Sequence, residues 1–328
     1  MTRARDVPLG PLTTLGIGGP ARELVRITTV AELRELVRES RDQPLLILGG
    51  GSNLVVRDAG WPGVVAQIAI GGVEIRDDLV AVGAGVVWDD LVAQMVAAGR
   101  AGIESMSGIP GLVGATPMQN VGAYGQEVSD TIARVHALDR TTGELVAIAP
   151  ADCAFAYRTS VFKGSARWII TGVDFRLPRA ATALLRYAEL ATALGADHAP
   201  LAQIRDTVIA LRRAKGMVVD PADPESRSAG SFFTNPIVEA ARAVAIAGAP
   251  SWPMPDGRVK LSAGWLIEHA GFARGYTVGR VGISRKHALA LVNRGGATAA
   301  ELLALADEIV AGVQARFGIA LTPEPVIV

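Results

Sequence analysis

Apolar positions recur along this chain in two periods, and the switches between them mark its elements. Thr29 and Glu32 stand at capping-box spacing. Behind them, Leu33, Leu36 and Val37 fall on one side of a helix. The unbroken run Leu45-Leu46-Ile47-Leu48 has the length of a buried strand. Val64 to Ile70 and Leu79 to Val82 read as further strands. Trp88 to Ala98 returns to helical spacing, with Leu91, Val92, Met95 and Val96 on adjoining rows and Gly99 as the stop. Strand-like stretches follow at 132–138, 145–148 and 168–177. From Pro178 to Ser228 the chain turns alanine-rich and helical. Leu201 to Ala214 is the clearest helix there, and the polar, proline-broken run Asp220 to Arg227 ends the segment. A second capping box, Thr298 with Glu301, precedes Leu302, Leu305, Ile309 and Val313 on one buried face. Ile319 to Leu321 and Val326 to Val328 read as strand edges.

These elements predict an α+β chain. Residues 1–180 form a first lobe. Residues 181–228 are a helical connection and linker, and 229–328 a smaller α+β lobe. At 328 residues the chain can hold two or three cores. Lysine plus arginine equals aspartate plus glutamate at 32 each, which removes the basic field that nucleic acid or a membrane surface requires. Neither partner is expected. No apolar run is long enough to span a bilayer, and Met1 to Asp6 lacks a signal core, so the expected compartment is the cytoplasm. The single cysteine, Cys153, reads as a small core residue rather than a nucleophile. No cluster of histidine, cysteine and carboxylate has metal-ligand spacing, so no metal is expected. No residue speaks to an oligomer, and a monomer is the expectation.

Candidate chemistry begins with glycine. Gly49-Gly50-Gly51-Ser52-Asn53 follows the Leu45 strand directly. A second, proline-punctuated loop carries Ile109, Pro110, Gly111, Gly114, Gln119, Asn120, Gly122 and Ala123. Glycine lets backbone approach a ligand closely, and free N–H groups in such loops can cradle a pyrophosphate. The alternative is a pair of surface turns. Neither dinucleotide-fingerprint nor Walker spacing is present. Two cradles some distance apart in sequence suggest one extended anionic ligand bridging two lobes. Tyr157-Arg158-Thr159-Ser160-Val161-Phe162-Lys163 offers a guanidinium fork for a carboxylate, or else a strand with solvated cations. Ser231 follows Gly230 and precedes two phenylalanines, which suits a positioned proton donor as well as a turn serine. The four histidines, at 136, 198, 269 and 287, lie in unrelated contexts, and no nucleophile elbow is present, which disfavours a Ser-His-Asp hydrolase. Glu324 is pinned between Pro323 and Pro325, or is simply solvated.

Taken in order, these segments resemble the UDP-N-acetylenolpyruvoylglucosamine reductase (MurB) family. The resemblance rests on Thr14 to Ala21, Gly49 to Leu54, Ile109 to Gly125, Tyr157-Arg158 with Phe162-Lys163, Gly230 to Phe233 with Asn235-Pro236, Ala263 to Glu268, and Pro323-Glu324. It implies a two-part FAD-binding domain of the vanillyl-alcohol-oxidase type, its parts about 1–65 and 66–180, a substrate domain, noncovalent FAD, and NADPH as reductant. NADPH is then replaced at one site by the enolpyruvyl UDP-sugar. The resemblance also assigns roles. Gly49 to Asn53 and the second loop hold the flavin. Arg158 stabilises the enolate-like state, Ser231 donates the proton, and Glu324 assists. Tyr187 covers the substrate as in the longer subtype, and Lys215, Asn235 and His287 contact the nucleotide or sugar. His287 stands where glutamine is expected and Thr234 where lysine is common, while Pro325 departs from the pattern after the glutamate.

Overall fold

The computed structural model describes residues 1–328. By internal packing the chain divides into two units. The first comprises 1–7, 21–50 and 62–213, and the second 8–20, 51–61 and 214–328. Contiguous boundaries at 180 and 228 do not mark the two short excursions, 8–20 and 51–61, that pack with the C-terminal residues.

The first unit is built on two sheets. In the four-stranded sheet the order is Thr2–Pro8, Pro20–Ile27, Trp61–Ile68, Leu45–Leu48, with the last two strands parallel. In the five-stranded antiparallel sheet it is Leu145–Ile148, Ile132–Asp139, Trp168–Arg176, Leu79–Gly83, Val73–Arg76. Helix α1 (Val30–Glu39) has the expected reciprocal capping box between Thr29 and Glu32, and it buries Leu33, Leu36 and Val37. Its core also takes in Leu138 and Ile169 of the five-stranded sheet, so α1 joins the two sheets. Helix α2 (Trp88–Ala97) buries Trp88, Leu91, Val92 and Met95 on the other sheet's core. The stretch expected to be helical after Pro178 contains α3 (Ala188–Leu194) and α4 (Leu201–Ala214). It also contains a two-stranded pair, Thr182–Leu184 with His198–Pro200, that lacked enough residues to show a period. Cys153 is buried in the first unit. Burial, with Asp152 nearby, pushes its thiol up to about 11. At that value it is a thiol, not a nucleophilic thiolate.

The second unit forms around α7 (Ala299–Phe317), again with a reciprocal capping box, Thr298 with Glu301. Its other helices are α5 (Ala240–Val244) and α6 (Ala263–His269), beside two three-stranded sheets. The excursions have a physical reason. Leu15, Ile17 and Val55 are core residues of this unit, and Leu54–Val55 pairs in parallel with Val326–Ile327. The expected strand at 319–321 does not form. Ile319 and Leu321 instead bury their side chains in the α7 core without a ladder partner. No helix is long and apolar enough to cross a membrane.

Candidate functional site

The first unit's contribution is built from backbone. The Leu45–Leu48 strand delivers Gly49 and Gly50 at its end. A Cβ on Gly50 would lie 2.8 Å from the Cα of Gly111, so the two glycine loops meet main chain to main chain. Gly50 and Gly111 form one wall within the first unit, while Gly51, Ser52 and Asn53 of the same glycine run belong to the second. A glycine contact that leaves no room for a Cβ at Gly50 suits the close approach of backbone that the pyrophosphate of a flavin dinucleotide requires.

The second loop is anchored by residues that its own sequence does not advertise. Asp89, in the first turn of α2, accepts the Gly108 N–H at 2.6 Å and both arms of Arg205 from α4 at 2.7 and 2.8 Å. Burial pushes the Asp89 carboxyl up, but the Arg205 fork and the Gly108 bond outweigh it and hold it below the ordinary carboxylate value. Buried Glu104 accepts from Gln126 and from the Gly102 N–H, both at 2.6 Å. The Gly111 carbonyl accepts the Trp88 N–H, and the Gly114 N–H donates to Ala84. Asn120 turns its side chain inward: Nδ2 donates to Glu127 at 2.8 Å and Oδ1 accepts the Ser129 N–H at 3.1 Å. Its side chain thus shapes the loop from within. Gln119, Gly122 and Ala123 share that loop, with Ile109 and Pro110 at its start.

Arg158 is not on a solvated strand. It sits in a turn at φ 54° and donates to the carbonyls of Asn120 (3.4 Å) and Gly122 (2.9 Å), while Lys163 Nζ donates to its carbonyl at 2.9 Å. Ser160 Oγ donates to the Met118 carbonyl at 2.7 Å. The 157–163 turn is thereby clasped to the second glycine loop. Tyr187, immediately before α3, meets Tyr124 of that loop edge to face at 5.6 Å and keeps its ring partly exposed. Gly50, the second loop, Arg158 and Tyr187 are thus linked within the first unit.

The second unit's contribution is built from side chains hung on long-range backbone bonds. Gly230, at φ 73°, turns the chain so that Phe232 and Phe233 are buried edge to face. The Phe232 N–H donates to the Leu289 carbonyl at 2.7 Å, and the Glu324 N–H donates to the Phe232 carbonyl at 2.8 Å. Asn53 Nδ2 reaches the Glu324 carbonyl at 3.4 Å, and the Val326 N–H donates to the Asn53 carbonyl. Asn53, Ser231 and Glu324 are therefore assembled from three distant stretches. His287 belongs with them, since its Nε2 lies 3.4 Å from Ser231 Oγ. The view that all four histidines lie in unrelated contexts fails for this one. It holds a place that only tertiary structure reveals.

Glu225 fixes the loop that carries His287. Its carboxylate accepts the Arg285 N–H at 2.8 Å and Arg294 Nη1 at 2.9 Å. Burial raises the Glu225 carboxyl, yet the Arg294 bond and its other donors overcome that and leave it below the ordinary value. The sequence around it reads as linker, so nothing local signals this role. Asn235 Oδ1 accepts the Ala263 N–H at the start of α6 at 2.9 Å, which leaves its amide nitrogen as the end able to face a ligand. Gly51 and Ser52 belong to this unit, and Lys215 follows α4 at its start. No group of three or more histidine, cysteine or carboxylate side chains is arranged to hold a metal.

Residues 21–149 match the profile of the FAD binding domain, and residues 221–328 that of the UDP-N-acetylenolpyruvoylglucosamine reductase C-terminal domain. The UDP-N-acetylenolpyruvoylglucosamine reductase of Thermobifida fusca is 52% identical, covering 99% of this chain and 98% of its own length. That of Streptomyces coelicolor is also 52% identical, over 98% of this chain and 89% of the relative. The crystal structure of the Thermus caldophilus enzyme superposes with a TM-score of 0.70 at 29% identity, over 99% and 98% of the two chains. A glycine-walled flavin cradle and likeness over nearly the whole length lead to one conclusion: this chain is a member of the UDP-N-acetylenolpyruvoylglucosamine reductase family, FAD-dependent oxidoreductases of peptidoglycan synthesis.

Proposed function

We propose that this chain reduces UDP-N-acetylglucosamine enolpyruvate to UDP-N-acetylmuramate at the expense of NADPH. The observation that carries the reading is the Ser231 hydroxyl. It is held on a left-handed Gly230, next to His287, on a segment whose neighbouring peptide is bonded to Glu324. FAD, bound through Gly49, Gly50 and the 109–123 loop, supplies the hydride chemistry.

The chain's own residues supply charge control and the proton. Arg158, fixed by the Asn120 and Gly122 carbonyls, grips the substrate carboxylate and stabilises negative charge spreading into it. Ser231 Oγ gives its proton to the substrate carbon bearing the ether oxygen. A hydroxyl is a weak acid, but an enolate-like carbon is a strong enough base to take its proton. His287 Nε2 is the adjacent group from which that hydroxyl can be oriented. Glu324, pinned through its peptide, orients the site, or in its protonated form donates a hydrogen bond to the substrate carboxylate. Tyr187 covers the sugar nucleotide, and Lys215 with the amide nitrogen of Asn235 meets its diphosphate or sugar.

Rapid mixing tests this reading. Ser231→Ala should bleach the flavin with NADPH at the unaltered rate. Reoxidation by the enolpyruvyl substrate should then be about a hundred- to ten-thousand-fold slower. Equal rates of both half-reactions in the variant and the parent would remove Ser231 as proton donor.

A further inference from the structure

A second concavity in the first unit has no role in this chemistry. It is a cavity of about 370 Å³, lined by Arg34, Arg38 and Arg41 from α1 and its end, by Arg140 from the turn after the Ile132–Asp139 strand, and by Val37 and Leu138. Its lining contains four guanidiniums and no carboxylate. Not one of the four is ion-paired. Arg38 Nε donates to the Arg34 carbonyl at 3.4 Å, and Arg140 Nη1 to the Ala166 carbonyl at 3.0 Å. Asp139 holds Arg167 and Glu39 holds Arg3, and neither Glu35 nor Asp42, the other carboxylates close by in sequence, lines the hollow. In a chain of zero net charge, this is a local concentration of one sign.

A purely structural account covers only part of it. Arg38 and Arg41 sit at the C-terminal end of α1, where cations complement the helix dipole. Arg34 lies a turn earlier at i, i+4 from Arg38, a like-charge spacing that destabilises a helix. Arg140 comes from a different element altogether. Four cations converging on one hollow repel each other unless an anion joins them.

We propose that this cavity is a binding site for a small molecule carrying two or more adjacent phosphates, distinct from the flavin cradle. The planar forks of the arginines suit phosphate oxygens. The volume falls within the range of small-ligand sites, and Val37 and Leu138 offer an apolar floor to the non-phosphate part. The site is separate from the cradle by its place in the fold. Arg41 precedes the Leu45–Leu48 strand and Gly49 follows it, so they lie at opposite ends of an element about 13 Å long. Because α1 packs on both sheets, occupancy would brace the seam between them.

Inorganic pyrophosphate titrated calorimetrically into the FAD-loaded full-length protein at low salt tests this. The expected result is a saturable site whose affinity falls at least tenfold in the double variant Arg38→Ala, Arg140→Ala, with bound flavin unchanged. The double variant Arg38→Lys, Arg140→Lys should fall between, since it keeps charge and loses the forks. Thermal midpoints without pyrophosphate report whether each variant is folded, and a rise in the parent's midpoint on adding it supports the site independently. Binding of equal strength in parent and folded alanine variant would overturn the proposal. So would a parent that ignores pyrophosphate but sediments with phosphatidylglycerol vesicles through the same arginines, which would make the surface a membrane contact.

Discussion

The two units present their candidate residues by opposite means. In the first, main chain is the working surface. Glycines remove side chains so that Gly50 can touch Gly111, and Arg158 is held by loop carbonyls. In the second, side chains are the working surface and main chain is the rigging. Ser231, His287, Glu324 and Asn53 come from four stretches and are brought together by hydrogen bonds, most of them between backbone groups, that cross from one stretch to another. The first kind of site leaves a local trace in sequence because its requirement is residue type at a fixed place. The second leaves almost none.

The sharpest way to break the comparison is to remove the long side chain that the first unit's loop carbonyls hold. Arg158→Ala should cost about 3–4 kcal/mol of barrier, a hundred- to thousandfold in turnover at saturating substrate. Arg158→Lys should recover only part of this, because a lysine cannot fork to the Asn120 and Gly122 carbonyls. Full recovery by lysine would mean that charge alone matters there.

Glu225 tests the rigging of the second unit. Glu225→Gln breaks a buried pair with Arg294 and should lower unfolding free energy by about 3 kcal/mol at neutral pH. The pH dependence has a definite sign. The folded-state value lies below the unfolded one, so the stabilisation is fully present above roughly pH 4.3 and is lost as pH falls through the folded value. Urea midpoints measured from pH 6 downward should therefore fall less steeply in the variant. Parallel acid limbs would remove Glu225 as a contributor.

The smallest expected effect sharpens the case for a main-chain wall. Gly50→Ala places a Cβ 2.8 Å from Gly111 Cα, and backbone there cannot swing aside as a side chain could. Overpacking of this kind costs about 1–3 kcal/mol. The expected readout is flavin affinity reduced roughly ten- to a hundredfold by equilibrium dialysis. Unaltered affinity would show that the loops separate freely.

How much of this was legible follows from the same contrast. The capping boxes at Thr29 and Thr298, the faces of α1 and α7, and the bounds of α4 could be read directly, because helix signals are local. Both glycine loops were visible as well, but not that they abut. The excursions 8–20 and 51–61 were invisible, since their reason is the burial of Leu15, Ile17 and Val55 in a core made mostly by residues after 228. Asp89 and Glu225 were hidden because a carboxylate in a helix's first turn or beside prolines looks like capping or linker. His287 was placed by resemblance alone, and its contact with Ser231 depends on the Phe232–Leu289 bond.

The lone thiol gives the molecule a built-in sentinel. Cys153 lies in the interior of the first unit and is the sole sulfhydryl in the chain. An alkylating reagent can therefore reach it only when that unit opens, while opening of the second unit goes unmarked. Modification rates followed with and without flavin would give the cofactor's bracing of one half of the protein, with no label to install and no background from the other.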